Sequence, residues 1–305
     1  MIIPKNKILV LGASGMLGSM VFDHLSKDKK FEVRGTVRNS ELVGGKLKDW
    51  KPSIFEAGKD DLNKLFSDFK PDYVINCIGI IKPYCKDGDE EGVARAIKIN
   101  ALFPHELSSI CGDLDIRVIQ IATDCVYSGK KGNYLETDLH DALDVYGKTK
   151  SLGEAIGKGF LNIRSSIIGP ELHNKNSLLE WFFSKKRGEK VDGYTHHIWN
   201  GVTTLQFAEV CDKLIFSGKD LFDEMVERSP VVHLILNKTV NKCELLEIFN
   251  KVFDRGLIIN PVNNIGEPVD RSISTKYDYF KGDSLLEMVE AVKKLKQYME
   301  SSKMW

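Results

Sequence analysis

Residues 7–27 read KILVLGASGMLGSMVFDHLSK. KILVLG is an unbroken apolar run, the pattern of a strand buried on both faces of a parallel sheet. Leu17, Val21 and Leu25 then recur every four residues, one face of an amphipathic helix. Between strand and helix, Gly12, Gly15 and Gly18 form G-x-x-G-x-x-G. Such a turn needs glycine where φ is positive, where backbone must approach a pyrophosphate, and where the helix packs close on the strand. The helix N-terminus adds amide donors and a partial positive charge. A glycine-rich turn that binds nothing is the plain structural alternative; placement directly between an apolar strand and a helix favours dinucleotide binding. The expected contacts are Gly12, Ser14, Gly15, Met16, Leu17 and Gly18.

Outward from this turn the same texture repeats. FEVRGTVR (31–38), YVINCIG (73–79), DIRVIQIATDCVY (115–127) and GFLNIRSSIIG (159–169) read as strands, separated by helical patterns near 59–69, 90–111 and 146–157. That alternation predicts an α/β fold, a Rossmann-like doubly wound parallel sheet. After residue 168 strands thin out and helical segments follow at 177–186, 203–215, 242–253 and 284–300. The expected organisation is a dinucleotide-binding domain over 1–168 and a smaller, mostly helical substrate lobe over 169–305, interleaved at the boundary, with the ligand cleft between them.

Composition narrows the function classes. The chain has 305 residues, 42% of them hydrophobic, with 43 basic against 43 acidic side chains. That balance gives no electrostatic footprint for nucleic acid. Cys77, Cys85, Cys111, Cys125, Cys211 and Cys243 show no C-x-x-C pairing and read as reduced thiols. No run approaches the roughly 18 apolar residues of a membrane span, and the N-terminus enters a strand without a signal-peptide pattern. The expectation is a cytoplasmic protein without membrane or nucleic-acid partners, with a homodimer carried as an expectation.

Arg38 stands twenty residues past Gly18, at the end of the second strand. Asp or Glu there accepts the ribose hydroxyls of NAD, whereas arginine pairs with the 2′-phosphate of NADP. NADP(H) is expected, with NAD(H) as the alternative; Arg34 is a second candidate for the phosphate.

Tyr-x-x-x-Lys occurs three times, at Tyr127 with Lys131, Tyr146 with Lys150, and Tyr277 with Lys281. Context separates them. Tyr127 is followed by the loop sequence SGKKGN, and Tyr277 lies far from the cofactor half. Only Tyr146 opens a helical segment after the strand that carries Thr123, and spacing of four puts it and Lys150 on one helix face. A phenol titrates near 10 and is a slow proton donor or acceptor at neutral pH unless a cation favours its ionised form. Lys150 can supply that charge while Thr123 holds a substrate oxygen.

GASGMLG, INCIGI, ATDCVY and YGKTK, in this order, resemble the extended short-chain dehydrogenase/reductase superfamily. Within it, ATDCVYSGKKGNYLETD followed by YGKTKSLGE is most similar to the dTDP-4-dehydrorhamnose reductase family. The resemblance implies NAD(P)H-dependent 4-keto reduction of a nucleotide-linked deoxysugar. It also implies Thr123, Tyr146 and Lys150 as the catalytic set, Cys77, Ile78 and Gly79 beside the cofactor, and Lys150 on the nicotinamide ribose. The chain departs from the family pattern at Cys125, where reductases usually carry tyrosine and 4,6-dehydratases glutamate. A thiol cannot complete the dehydratase's carboxylate pair, which disfavours that activity.

In the second lobe, DGYTHHIWNGVTTLQFAE (192–209) resembles the crossover into a substrate-domain helix, with Thr203 or Thr204 as its cap. His196 and His197 are adjacent and point apart, so no metal is expected. Trp199, Asn200 and Arg271 are candidates for the sugar or diphosphate pocket, Arg271 because a guanidinium pairs bidentately with phosphate. Two rivals accompany the reductase reading: a nucleotide-sugar epimerase using the same residues, and a non-catalytic NADP-binding regulatory subunit.

Overall fold

The computed structural model describes residues 5–39, 41, 50–173, 175–280, 284–302 and 305. Its strands are β1 (Asn6–Leu11), β2 (Phe31–Val37), β3 (Ser53–Ile54), β4 (Tyr73–Asn76), β5 (Arg117–Ala122), β6 (Phe160–Arg164), β7 (Ile167–Ile168), β8 (Lys190–Tyr194), β9 (His197–Trp199), β10 (Val202–Thr203), β11 (Val231–His233), β12 (Val240–Asn241), β13 (Ile258–Val262) and β14 (Val269–Asp270). The helices are α1 (Met16–Ser26), α2 (Leu62–Phe69), α3 (Glu90–Ala96), α4 (Phe103–Asp113), α5 (Val145–Leu152), α6 (Leu178–Phe183), α7 (Thr204–Phe216), α8 (Lys219–Arg228), α9 (Lys242–Val252) and α10 (Met288–Ser301).

Seven strands make one parallel sheet in the order β11-β6-β5-β4-β1-β2-β3. Side chains of β1 alternate across it. Ile8 and Val10 enter a core with α1, α7, α8 and α10, while Leu9 and Leu11 enter a second core with α2 and α4. Both faces are therefore covered, as the unbroken apolar strands require. Chain order reverses between β1 and β4, so the ends of these strands open into a crevice, the usual ligand position in such sheets.

Chain beyond residue 168 returns to this sheet. β11 adds to its edge and α7 packs on α1. α8 and β8–β14 escape the sequence pattern because they are short or exposed; β13 has no buried residue at all. Thr203 caps α7 in a capping box with Gln206. The helical stretch predicted over 90–111 is interrupted by a π-helical turn over Ile97–Leu102. Asn100, in that turn, takes both the N–H of Ile80 (2.8 Å) and its carbonyl (2.9 Å). The turn also fixes the end of α5: a Cβ on Gly153 would lie 1.7 Å from the Asn100 carbonyl oxygen. No helix among the described residues is long and apolar enough to cross a membrane.

Candidate active site

The glycine turn leaves β1 with Gly12 at φ +76°. Thr36 of β2 anchors it, its hydroxyl accepting from Gly12 N–H (3.1 Å) and its carbonyl from Ala13 N–H (2.8 Å). A Cβ on Gly18 would stand 2.1 Å from the Gly12 carbonyl oxygen, so α1 can seat on the strand only with glycine there. Gly15 caps α1 without a side-chain bond, and no acidic residue occupies the first turn. The amides at this helix end are thus open to an anion, and Ser14, Gly15, Met16 and Leu17 line the cleft in front of them. These features fit a pyrophosphate. Cys77, Ile78 and Gly79, following β4, line the same cleft.

Arg38 is exposed and follows β2 directly, two residues beyond the Thr36 anchor. Arg34 is engaged elsewhere: it pairs with Asp68 and lies over the Phe69 ring at 4.4 Å. Among the described residues, Arg34 has a carboxylate partner while Arg38 stands exposed at the end of the strand.

Thr123, Tyr146 and Lys150 line the same cleft of about 420 Å³. They arrive from two elements. Thr123 directly follows β5 and caps the short 3-10 turn Asp124–Val126; Tyr146 and Lys150 share a face of α5, which Asp144 caps through Gly147 N–H at 2.8 Å. Asn100 binds Thr149 (3.2 Å) between them and so holds α5 against the cofactor half.

The electrostatics differ from the sequence expectation. Burial pushes the Tyr146 phenol up, the neighbouring Cys125 and Asp124 push it further, and the Thr123 hydroxyl opposes them. Lys150 does not offset this, because its ammonium is drawn to the Ile121 carbonyl at 2.7 Å. Burial brings Lys150 down to about 8, with Glu154 and Cys77 partly restoring it. The Cys77 and Cys125 thiols are pushed up to about 12 by burial, which makes them inert. The site therefore holds a protonated phenol at neutral pH.

Trp199, Asn200 and Arg271 do not line this cleft. Asn200 uses its amide on Ile273, donating to the carbonyl (2.8 Å) and accepting from the N–H (3.0 Å). Trp199 is 3% exposed beneath Lys242. Arg271 donates to the Tyr127 and Ser128 carbonyls at 3.0 and 3.3 Å. His196 faces the Ile265 carbonyl while His197 stacks on Tyr194.

The cleft is lined instead by Ser165, Ser166, Glu171, His173 and Asn176. Asn176 donates to the Tyr84 hydroxyl at 2.6 Å, a bridge between the loop before α6 and the turn after β4. Lys82 of that turn pairs with Asp144 (2.9 Å) and lies 5.9 Å from the centre of the Tyr146 ring. None of these carried a sequence signal of a site, since loop residues converge only through the fold.

A family model described as RmlD substrate binding domain matches residues 6–168. The chain is similar to methionine adenosyltransferase 2 subunit beta of Bos taurus, 28% identical over 155 residues that cover 50% of this chain and 42% of that protein. It is equally similar to the dTDP-4-dehydrorhamnose reductase of Aggregatibacter actinomycetemcomitans, 28% identical over 151 residues, 49% of this chain and 46% of that one. The matched stretch thus spans less than half the length of these relatives. Among solved structures, dTDP-4-dehydrorhamnose reductase from Bacillus anthracis in complex with NADP superposes with a TM-score of 0.71 at 14% identity, covering 98% of this chain and 100% of that one. At that identity the likeness establishes the fold. With more than half of its length matched by the family model, the chain belongs to the RmlD substrate-binding-domain family.

Proposed function

We propose that this protein catalyses the NADPH-dependent reduction of the 4-keto group of a nucleotide-linked deoxysugar, in deoxysugar supply for surface polysaccharide or glycoconjugate synthesis. The observation that carries the reading is convergence: Thr123, Tyr146 and Lys150 line one cleft with the glycine turn and Cys77–Gly79. NADPH, when bound, supplies the hydride. Tyr146, kept protonated by burial, delivers a proton at the sugar carbonyl oxygen. Thr123 holds that oxygen, and Lys150 positions the nicotinamide ribose. Arg38 pairs with the 2′-phosphate. Residues 1–168 serve the dinucleotide, while 169–305 serve the sugar nucleotide.

Two relatives with reductase names, the one above and a dTDP-4-keto-6-deoxy-D-glucose reductase of Streptomyces niveus at 30% identity over 148 residues, support the substrate class. Likeness to methionine adenosyltransferase 2 subunit beta supports a second reading, an NADP-binding partner protein. The test is NADPH oxidation by purified protein against 4-keto-6-deoxy nucleotide sugars generated in situ by dehydratases. Oxidation with one member supports the reductase and names its nucleotide. NADPH binding with silence across the panel, and coelution with an enzyme that the protein activates, supports the partner reading.

A further inference from the structure

α5 carries Tyr146 in its first turn, so the placement of that turn decides where the phenol stands. The turn packs directly on backbone: a Cβ on Gly147 would lie 2.6 Å from the Cys125 carbonyl oxygen, in the turn that Thr123 caps. The start of a helix leaves amides without intrahelical partners. Asp144 takes the Gly147 N–H at 2.8 Å, and Asp87, from another element, takes the Val145 N–H at 2.9 Å. Both carboxylates sit at the positive end of an eight-residue helix that has no acidic residue in its own first turn.

Asp87 belongs to the segment that follows β4. Lys82, in the same segment, pairs with Asp144 at 2.9 Å and lies 5.9 Å from the centre of the Tyr146 ring. An exposed pair of this kind adds little stability by itself. Its effect is to orient the cap, with one carboxylate oxygen on Gly147 and the other on Lys82. The segment is itself pinned to the body of the protein. Cys85 is buried with its thiol donating to the Ile81 carbonyl at 3.4 Å, and Asp89 caps α3 through Gly92 N–H at 3.0 Å. A Cβ on Gly92 would stand 2.7 Å from the Tyr84 carbonyl oxygen, so α3 and the segment meet backbone to backbone.

Between Lys82 and Asp87 stands Tyr84, which lines the cleft and whose hydroxyl accepts from Asn176 at 2.6 Å. Asn176 lines the cleft as well, and its backbone N–H donates to Glu171 at 3.0 Å. One short segment therefore holds the loop before α6 through Tyr84 and the start of α5 through Lys82 and Asp87. The opposite end of α5 is tied inward, where Arg164 holds Glu154 at 2.6 and 2.7 Å. A shift of the segment is thus felt at the Tyr146 end of the helix.

We propose that residues 82–87 form a strap that couples the sugar side of the cleft to Tyr146. Lys82 and Asp87 are positioning residues for the first turn of α5, and Tyr84 is the strap's hold on the loop before α6. A sugar nucleotide in the cleft lies against the Tyr84 and Asn176 bridge, and the strap passes the position of that bridge to the phenol. Such coupling matters because a misplacement of about 1 Å can cost roughly a hundredfold in rate. The kinetic part of this inference rests on the reductase reading; the tie between Tyr84 and the start of α5 does not.

The experiment combines amide exchange at Val145, followed by NMR in protein without added ligand, with the kinetics of NADPH-dependent reduction. Asp87→Ala is expected to speed Val145 exchange about two- to tenfold, the value of one hydrogen bond. Tyr84→Phe, which removes the hydroxyl that Asn176 holds, should speed it in the same direction. Asp87→Asn keeps an oxygen acceptor and should return exchange to near the wild-type rate. In turnover, Asp87→Ala should lower kcat about tenfold or more with KM for NADPH unchanged. Tyr84→Phe should lower kcat by less and raise KM for the sugar nucleotide, and Asp87→Asn should restore kcat. The double variant Tyr84→Phe, Asp87→Ala should lose no more kcat than Asp87→Ala alone, as parts of one device do. Unchanged Val145 exchange in Tyr84→Phe, or kcat losses that multiply in the double variant, overturns the proposal. If wild-type protein reduces no sugar in the panel, the reductase reading fails, and Val145 exchange alone still decides the strap.

Discussion

Tyr146 and Tyr127 each stand four residues before a lysine, yet the fold gives the two hydroxyls opposite surroundings. Tyr127 is fully buried, donates to the Leu135 carbonyl (2.9 Å), accepts from Arg164 (2.6 Å), stacks on Tyr134 at 4.3 Å and reaches His233 at 3.1 Å. Its lysine, Lys131, turns away to Asp138. Every capacity of that phenol is used on the protein itself. Tyr146 sits on a capped helix in the wall of an open cleft, with Thr123 as its hydroxyl neighbour and Lys150 one turn along. A phenol can serve chemistry only where its hydroxyl is left unfilled by structure, and the element that carries it decides this, not the spacing. Tyr277, the third such tyrosine, stacks on Tyr279; Lys281 lies outside the described residues.

The widest separation is expected between the two phenylalanine variants. Tyr146→Phe should lower kcat by about 10²- to 10⁴-fold, the range for removing a general acid, with NADPH affinity nearly unchanged by fluorescence titration. Tyr127→Phe should leave kcat close to wild type but cost about 1–3 kcal/mol in denaturant unfolding, because Arg164 loses a buried partner. Equal kinetic losses in the two would break the comparison.

The cofactor wall gives the next effects. Gly18→Ala should abolish measurable NADPH binding, since its Cβ would have to displace the Gly12 backbone. Arg38→Ser should weaken NADPH roughly ten- to a hundredfold, the value of one charge-assisted bond, and leave NADH affinity unchanged.

A smaller effect belongs to the Tyr127 side. Burial brings His233 down to about 4 from its ordinary 6.5, with Arg164 adding to this and Glu136 opposing it. A histidine held neutral contributes stability that is complete above 6.5 and lost as pH falls from there through about 4. His233→Gln should therefore flatten the dependence of unfolding free energy on pH across that window. Smallest of all, Lys131→Met should change stability by less than about 0.5 kcal/mol, because its pair with Asp138 is exposed.

How much was legible follows the same division. The strand, turn and helix of residues 7–27 could be read directly, because glycine is required there by backbone contacts that no other residue permits. Alternating apolar strands likewise announced the sheet. Asn200 and Arg271 were polar residues in suggestive places, and the fold gives both to backbone groups; sequence carries no sign of which partner a polar side chain will meet. The edge strand β11, three residues long, was invisible to periodicity for want of length. Lys242 looked like an ordinary residue at the start of a helix, and only tertiary packing places its ammonium over Trp199.

The most direct test of the account is NADPH oxidation with 4-keto-6-deoxy nucleotide sugars, measured for wild type and Tyr146→Phe side by side with cofactor binding monitored in both. The account predicts turnover by wild type with at least one sugar, and a Tyr146→Phe variant that binds NADPH yet is slowed by two or more orders of magnitude. A Tyr146→Phe variant as fast as wild type would contradict it.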